Sequence, residues 1–373
     1  MAGIYIHIPF CKSRCIYCGF YSTTREDLRD EYVDTLCHEL ELRKDYLPPT
    51  ESIETIYLGG GTPSLLSGHQ LRRIFLYINK VYGNRLNLKE VTMECNPDDV
   101  TEAYASQIAL TPVNRISMGV QTFSDSRLAF LHRRHHARQA TNAVKALREN
   151  GIKNISIDLM FGFPGETEDE WEKDIDQALS LKVEHISAYS LMYEEGTPLD
   201  QLLKQGKIRE IDDDLSLKMY DTLIDRLTTA GYEHYEISNF ALPGYRSIHN
   251  SSYWHAIPYI GIGAAAHSYD LASRQWNIAN LPTYINSISE DKIPMEKEIL
   301  DERTQYDDLV TTALRTCEGI DLKSLRPADK AYLIENAHPY VQSGLIEIKD
   351  GYLRITRKGI YVSDTIMSDL MHV

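Results

Sequence analysis

Two periodicities alternate along the first half of the chain. Short apolar runs at 3–8, 52–58, 90–95, 115–120, 154–160 and 185–191 read as β-strands. Between them lie stretches at 27–46, 67–81, 101–110, 137–150 and 167–181, where apolar residues recur at helical spacing among charges; the first carries Leu28, Tyr32, Leu36, Leu40 and Leu42. Ser67 stands where an N-cap belongs, Gly151 where a helix should stop, and Asn96-Pro97 interrupts the third strand. Strand and helix alternating through short connections predict parallel βαβ units, and hence an α/β fold closing as a partial (β/α)6 barrel.

Past Asn277 the pattern changes. Helical stretches at 281–288, 303–316 and 331–343 precede two short strands, 344–348 and 352–356, joined at Asp350-Gly351, a strong hairpin signal. Helices followed by a hairpin predict a small winged-helix-like α+β module. The expected organisation is a barrel core at 1–200, a barrel extension and linker at 201–290, and the C-terminal module at 291–373. Basic residues of that module, such as Lys323, Arg326 and Arg357, are diluted by acids, which argues against DNA binding and for covering the barrel or docking a partner.

Polar residues gather at the C-terminal ends of the predicted strands. Cys11, Cys15 and Cys18 follow the first, Gly60-Gly61-Thr62 the second, and Glu94, Gln121, Asp158 and Ser190 the next four. In a (β/α) barrel those ends converge on the face where active sites are built. The three cysteines, spaced C-x3-C-x2-C, supply soft thiolate ligands on one tight loop. A cubane has four irons, so three protein ligands leave one iron open. A zinc site is the competing reading, with His7 as its fourth ligand, but a strand residue two before Pro9 is poorly placed for it. The triple glycine at 59–61 is by itself an ordinary tight turn. The His132–His136 run reads equally as a solvated face.

Charge and composition narrow the classes further. Against 39 basic residues stand 54 acidic ones, a net charge of −15, which disfavours general nucleic-acid binding. No run is apolar for the ~18 residues a membrane-spanning helix needs, and the N-terminus is unlike a signal peptide. Cys37, Cys95 and Cys317 suggest no disulfide framework, so a cytoplasmic protein is expected.

The cysteine loop, with Tyr17 before its third cysteine, and the Gly59-Gly60-Gly61-Thr62-Pro63 turn resemble the radical S-adenosylmethionine (SAM) superfamily. That resemblance implies a 4Fe–4S cluster whose open iron is chelated by SAM, which one electron cleaves to methionine and a 5′-deoxyadenosyl radical. Tyr5 to Phe10, Glu94-Cys95-Asn96-Pro97, Ser117 to Gln121, Asp158 to Gly162 and Gly261-Ile262-Gly263 are similar to the oxygen-independent coproporphyrinogen III oxidase group. By that resemblance Tyr5, Gly60 and Glu94 contact the cluster-bound SAM, and Gly61, Thr62, Gln121, Arg133 and Asp158 a second one. Carboxylates and amides suit ribose hydroxyls or an amino group, and Arg133 suits a carboxylate.

Two features depart from the oxidase. Its further cysteine is replaced by Phe20, and the first cluster cysteine is already residue 11. Both resemble the heme-chaperone branch of the group, whose HNxxYW motif matches His249-Asn250-Ser251-Ser252-Tyr253-Trp254. The resemblance implies heme contact by His249, Asn250, Tyr253 and Trp254: an imidazole is a natural axial ligand, and the aromatic rings offer flat apolar surface. His249 as an ordinary loop histidine is the competing reading, and His267 is a second candidate for porphyrin contact. Ala264 and Ala265 stand where the family usually shows proline and glycine. Gly261-x-Gly263-x-x-Ala266 also fits a dinucleotide pattern, but the segment before it is a polar-aromatic loop and no acid is suitably placed, so that reading is rejected. The expected function is a chaperone that binds cluster, SAM and heme, takes electrons from a donor, and delivers heme to acceptors, membrane-associated respiratory enzymes among them. The alternatives are the radical decarboxylation of the oxidase itself and a cluster-holding electron carrier.

Overall fold

The computed structural model describes residues 1–372. Six parallel strands, β1 (Ala2–Ile8), β2 (Ile53–Gly60), β3 (Leu86–Cys95), β4 (Arg115–Gln121), β5 (Asn154–Phe161) and β6 (His185–Ser190), pair in chain order. The alternation of strand and helix expected from the sequence is therefore present, with helices at Arg29–Leu42, Gly68–Tyr82, Glu102–Ile108, Ala137–Glu149 and Glu168–Ser180 between the strands. Ser67 and Thr167 each close a capping box, fixing where the helices that follow begin. Outward-facing strand residues such as Ile4, Ile6, Leu58, Met93, Ile116 and Ile157 join Leu36, Leu71, Ile74 and Leu147 of these helices in one large core. The alternate residues (Tyr5, Tyr57, Glu94, Arg115, Ser117, Asp158, His185) face the interior, which is polar.

The sheet continues past both edges of the barrel. Beyond β6 lie antiparallel β8 (Asn239–Ala241) and β7 (Glu233–Glu236). Beyond β1 lies β9 (Tyr259–Ile262), parallel to it, then antiparallel β10 (His267–Tyr269), β11 (Ser273–Asn277) and β12 (Met295–Ile299). The strands within residues 233–277 thus extend the large sheet beyond both edges of the barrel. So does β12, which lies past the expected boundary at 291. A second core begins at Tyr306 and runs to Leu370. It contains helices Glu302–Ala313 and Pro327–Gln342 and a sheet of β13 (Ile320–Asp321), β15 (Tyr352–Ile355) and β14 (Ile346–Lys349), the last two joined through positive-φ Asp350 and Gly351. Among the described residues, no helix is long and apolar enough to cross a membrane.

A buried charge holds the β9–β11 flank in place. Glu39, on helix 29–42, accepts from the Gly263 amide (2.8 Å), Asn277 Nδ2 (2.7 Å) and Tyr284 OH (2.5 Å), while Arg43 one turn on donates to the Gly261 carbonyl, Ser268 and Gln275. Removing a buried carboxylate from such a set leaves several donors and a guanidinium unpaired. Glu39→Ala is expected to lower unfolding stability by ~3–5 kcal/mol in denaturant titration, against a smaller loss for Glu39→Gln.

Candidate functional site

The cysteine loop is pinched shut at its base. Thr23 donates its amide to Pro9 (2.7 Å) and accepts from Cys11 (2.9 Å) across a Phe10–Thr23 bridge. At its tip Ile16 is buried in a satellite cluster with Leu131, Met160, Phe163, Leu191 and Leu199, and its carbonyl accepts from Leu199. Pinned at both ends, the loop holds Cys11, Cys15 and Cys18 as half-buried free thiols. Burial pushes the Cys11 and Cys18 thiols up, so ligation must displace their protons.

The glycine turn closes on this loop. Gly60 has φ +108°, and a Cβ there would lie 2.5 Å from the His7 ring; one on Gly61 would lie 2.8 Å from the Phe10 carbonyl oxygen. The Gly61 amide donates to Ile8 O at 2.8 Å. The glycines serve close backbone approach, which brings Thr62 Oγ1 to 3.4 Å from Cys11 Sγ. Glu94, at the next strand end, accepts from the Gly60 amide (3.0 Å) and Tyr57 OH (2.8 Å), and burial pushes its pKa up to about 7.

Arg133 reaches in from the loop after β4. Its guanidinium donates to Cys15 Sγ (3.6 Å), Asn96 Oδ1 (2.7 Å) and the Gly119 carbonyl (2.6 Å), and its Nε is buried without a partner. Asn96 Nδ2 in turn donates to Thr62 Oγ1. Asn96 therefore joins the second, third and fourth βα units to the cysteine loop, a role its place before Pro97 signalled only as a strand stop. Gln121 ends β4 with φ +68° and is buried; Asp158 lies deeper, accepting from Ser117 Oγ at 3.4 Å, its pKa raised by burial. Tyr5 faces the interior, its OH 3.1 Å from His7 Nδ1.

The residues fit a cluster with one open corner better than a zinc ion. Among the described residues no three His, Cys, Asp or Glu converge on a single-ion site. His7 is occupied on both nitrogens, with Tyr5 OH and the Tyr21 carbonyl, and burial holds its pKa down to about 4. In the 132–136 run His135 is buried, with Nε2 on the Val120 carbonyl and Nδ1 without a partner. The arrangement offers three thiols and, around them, the Arg133 guanidinium, the Glu94 carboxyl, the Asn96 amide and the Thr62 hydroxyl. When bound, the cluster supplies one-electron reducing chemistry and an open iron position.

The HNxxYW stretch lies elsewhere. It forms helix Ile248–Trp254, whose first amides and Ser247 hydroxyl point at Glu90 near the start of β3. His249 is 1% exposed: Nδ1 meets Thr55 Oγ1 at 2.8 Å, Nε2 meets Tyr253 OH at 2.9 Å, and the ring stacks on Tyr57 at 5.2 Å. Thr55, and Gly3, where a Cβ would lie 3.1 Å from this ring, sit towards the strand ends remote from the cysteines. The axial-ligand role expected for His249 meets a different geometry, because both nitrogens are engaged inside the protein. Asn250 donates its amide to Ser247 Oγ, and the Trp254 ring lies under Arg315.

Comparison with known proteins gives the family. Residues 5–178 match the radical SAM superfamily and 300–362 the HemN C-terminal domain. The heme chaperone HemW of Bacillus subtilis is 35% identical over 371 residues, 96% of each chain; that of Lactococcus lactis is 36% identical over 85% of this chain and 82% of its own. HemW of Mycobacterium tuberculosis is 32% identical over 99% and 94%. The solved coproporphyrinogen III oxidase (HemN) of Escherichia coli, a radical SAM enzyme, superposes with a TM-score of 0.83 over 100% of this chain and 90% of its own at 21% identity, which shows the shared fold. The chain belongs to the HemW family of the radical SAM superfamily, and that superfamily implies a 4Fe–4S cluster and SAM.

Two outcomes test the geometry. Folded Glu94 keeps its proton up to about pH 7, whereas the unfolded chain releases it near 4.5. Its contribution is fully present below pH 4.5 and is lost as pH rises through 7, on the order of 3 kcal/mol. Unfolding of the apoprotein followed from pH 4.5 to 8 should show that loss, and Glu94→Gln should flatten it. For His249, loss of a buried ring and of partners for two hydroxyls predicts that His249→Ala costs ~2–4 kcal/mol of stability.

Proposed function

We propose that this protein holds a 4Fe–4S cluster through Cys11, Cys15 and Cys18, binds SAM at the open iron, and carries heme to acceptor proteins. What supports the reading most is the group of relatives called heme chaperone that align over nearly the whole chain at 32–36% identity. Phe20, where the oxidase has its further cysteine, is 71% exposed on the cluster loop. Tyr5, Gly60 and Glu94 serve the cluster-bound SAM, with Glu94 oriented by Tyr57 and the Gly60 amide. Gly61, Thr62, Gln121, Arg133 and Asp158 line the site for a second. Heme contact through His249 requires the 248–254 helix to leave Thr55 first; Tyr253, Trp254 and Asn250 would be released with it. The acceptors are heme proteins, membrane-associated respiratory enzymes among them, an electron donor serves the cluster, and the protein works in the cytoplasm.

The oxidase reading has the shared fold in its favour, and one preparation separates the two. Reconstituted anaerobically, the protein is expected to bind heme and pass it to an apo-acceptor while leaving coproporphyrinogen III intact; decarboxylation at enzyme-like turnover would overturn the chaperone reading. Cys15→Ser is expected to lose the brown cluster absorbance, and an intact cluster in that variant would refute the ligand assignment.

A further inference from the structure

The large sheet has two edges, and they are finished differently. At β7 the C-terminal unit closes the edge: Ile237 donates to the Arg315 carbonyl and Cys317 to the Tyr235 carbonyl, each at 3.0 Å, and Glu236 bridges to Thr316. At β12 nothing among the described residues covers it, and all five of its residues, Met295-Glu296-Lys297-Glu298-Ile299, are exposed. Leu300 donates to the Ala272 carbonyl and Ile278 to the Pro294 carbonyl. Antiparallel alternation then turns the amides and carbonyls of Glu296 and Glu298 inward to β11, and those of Lys297 and Ile299 outward. Side chains alternate as well: Met295, Lys297 and Ile299 share one face, Glu296 and Glu298 the other. Met295 is 42% and Ile299 70% exposed. Arg274 holds Glu298 at 3.0 Å, while no ion pair among the described residues engages Glu296 or Lys297.

We propose that the bare β12 edge takes up an extended segment of a partner protein as a further strand, the segment reading apolar–basic–acidic–basic–apolar. The outward groups of Lys297 and Ile299 supply the main-chain bonds, and the side chains select the sequence. Opposed residues of neighbouring strands lie on the same face, roughly 5 Å apart at Cβ. Basic residues of the segment therefore meet Glu296 and Glu298, its acid meets Lys297, and its apolar ends cover Met295 and Ile299. The surroundings favour the same sign: residues 290–308 hold eight acids and three bases. A second copy of this chain is a poor occupant. Pairing antiparallel about Lys297, it sets lysine on lysine and Glu296 on Glu298; a shift by two residues sets Glu296 on itself and Lys297 on Met295. Charges on a bare edge also keep it from indiscriminate pairing, but that duty does not explain two large apolar side chains left exposed on one face. Uptake here involves neither the cysteine loop nor the 248–254 helix.

Fluorescence anisotropy of a labelled peptide with the core Leu-Lys-Glu-Lys-Leu, added to the full-length protein, tests this against the charge-reversed core Leu-Glu-Lys-Glu-Leu. The first should bind about tenfold tighter, the difference that three cross-strand charge pairs make, and added salt should shrink the advantage. Glu296→Lys should narrow the preference between the two peptides. Ile299→Pro removes one outward amide and no inward bond, so it should bind the first peptide more weakly than Ile299→Ala, which loses only the side chain. Circular dichroism checks that each variant is folded. Equal binding of the two peptides, no binding of either by the wild type, or a folded Ile299→Pro that binds as tightly as Ile299→Ala overturns the docking edge. None of these readouts involves heme, so their failure leaves the chaperone reading standing.

Discussion

The approach of the β2 glycine turn to the end of β1 is the constraint on which the site depends. With Gly60 at φ +108° and Gly61 against the Phe10 carbonyl, no side chain fits between the two strand ends. That contact places Thr62 beside Cys11, turns the Gly60 amide to Glu94, and leaves the cysteine loop to arch over the barrel. Asn96 and Arg133 then draw the third and fourth units to the same point. A buried guanidinium beside thiols that become thiolates on ligation lowers the cost of collecting negative charge there.

The barrel has two differently built ends. At the strand C-termini polar atoms are left for ligands: the Arg133 Nε is buried without a partner and Cys15 and Cys18 are half-buried. At the N-terminal end Glu90 satisfies the start of helix 248–254, and His249, Thr55 and Tyr253 satisfy one another. Around Tyr57 the two ends meet, its hydroxyl on Glu94 and its ring on His249. The C-terminal unit joins this scaffold through Arg246–Glu318 and Arg357–Asp221 pairs and an Ile237–Arg315 backbone bond.

Much of this was legible in the sequence because local rules and global fold agree. The six strands and their helices follow from periodicity, Ser67 does cap its helix, and Asp350-Gly351 does turn a hairpin. Strand ends marked by polar residues converge as a barrel requires. What sequence could not place was anything set by long-range packing. His249 and His267 sit in similar-looking Gly-, Ser- and aromatic-rich segments, yet one is sealed under the barrel by Thr55, nearly two hundred positions earlier, and the other is open. Glu39, one of many charges in the 27–46 stretch, is the buried hub of the β9–β11 flank. The order of the flank strands was not legible, because they are short and the first of them, β9, pairs with β1, far away in the chain.

The central claim is that three protein thiols leave one iron of a cubane open. Mössbauer spectroscopy of 57Fe-reconstituted protein, with and without SAM, addresses it most directly. The account predicts four irons, of which one alone changes its isomer shift when SAM is added. Four irons that are unmoved by SAM, or a preparation that takes up zinc in place of a cluster, would contradict it.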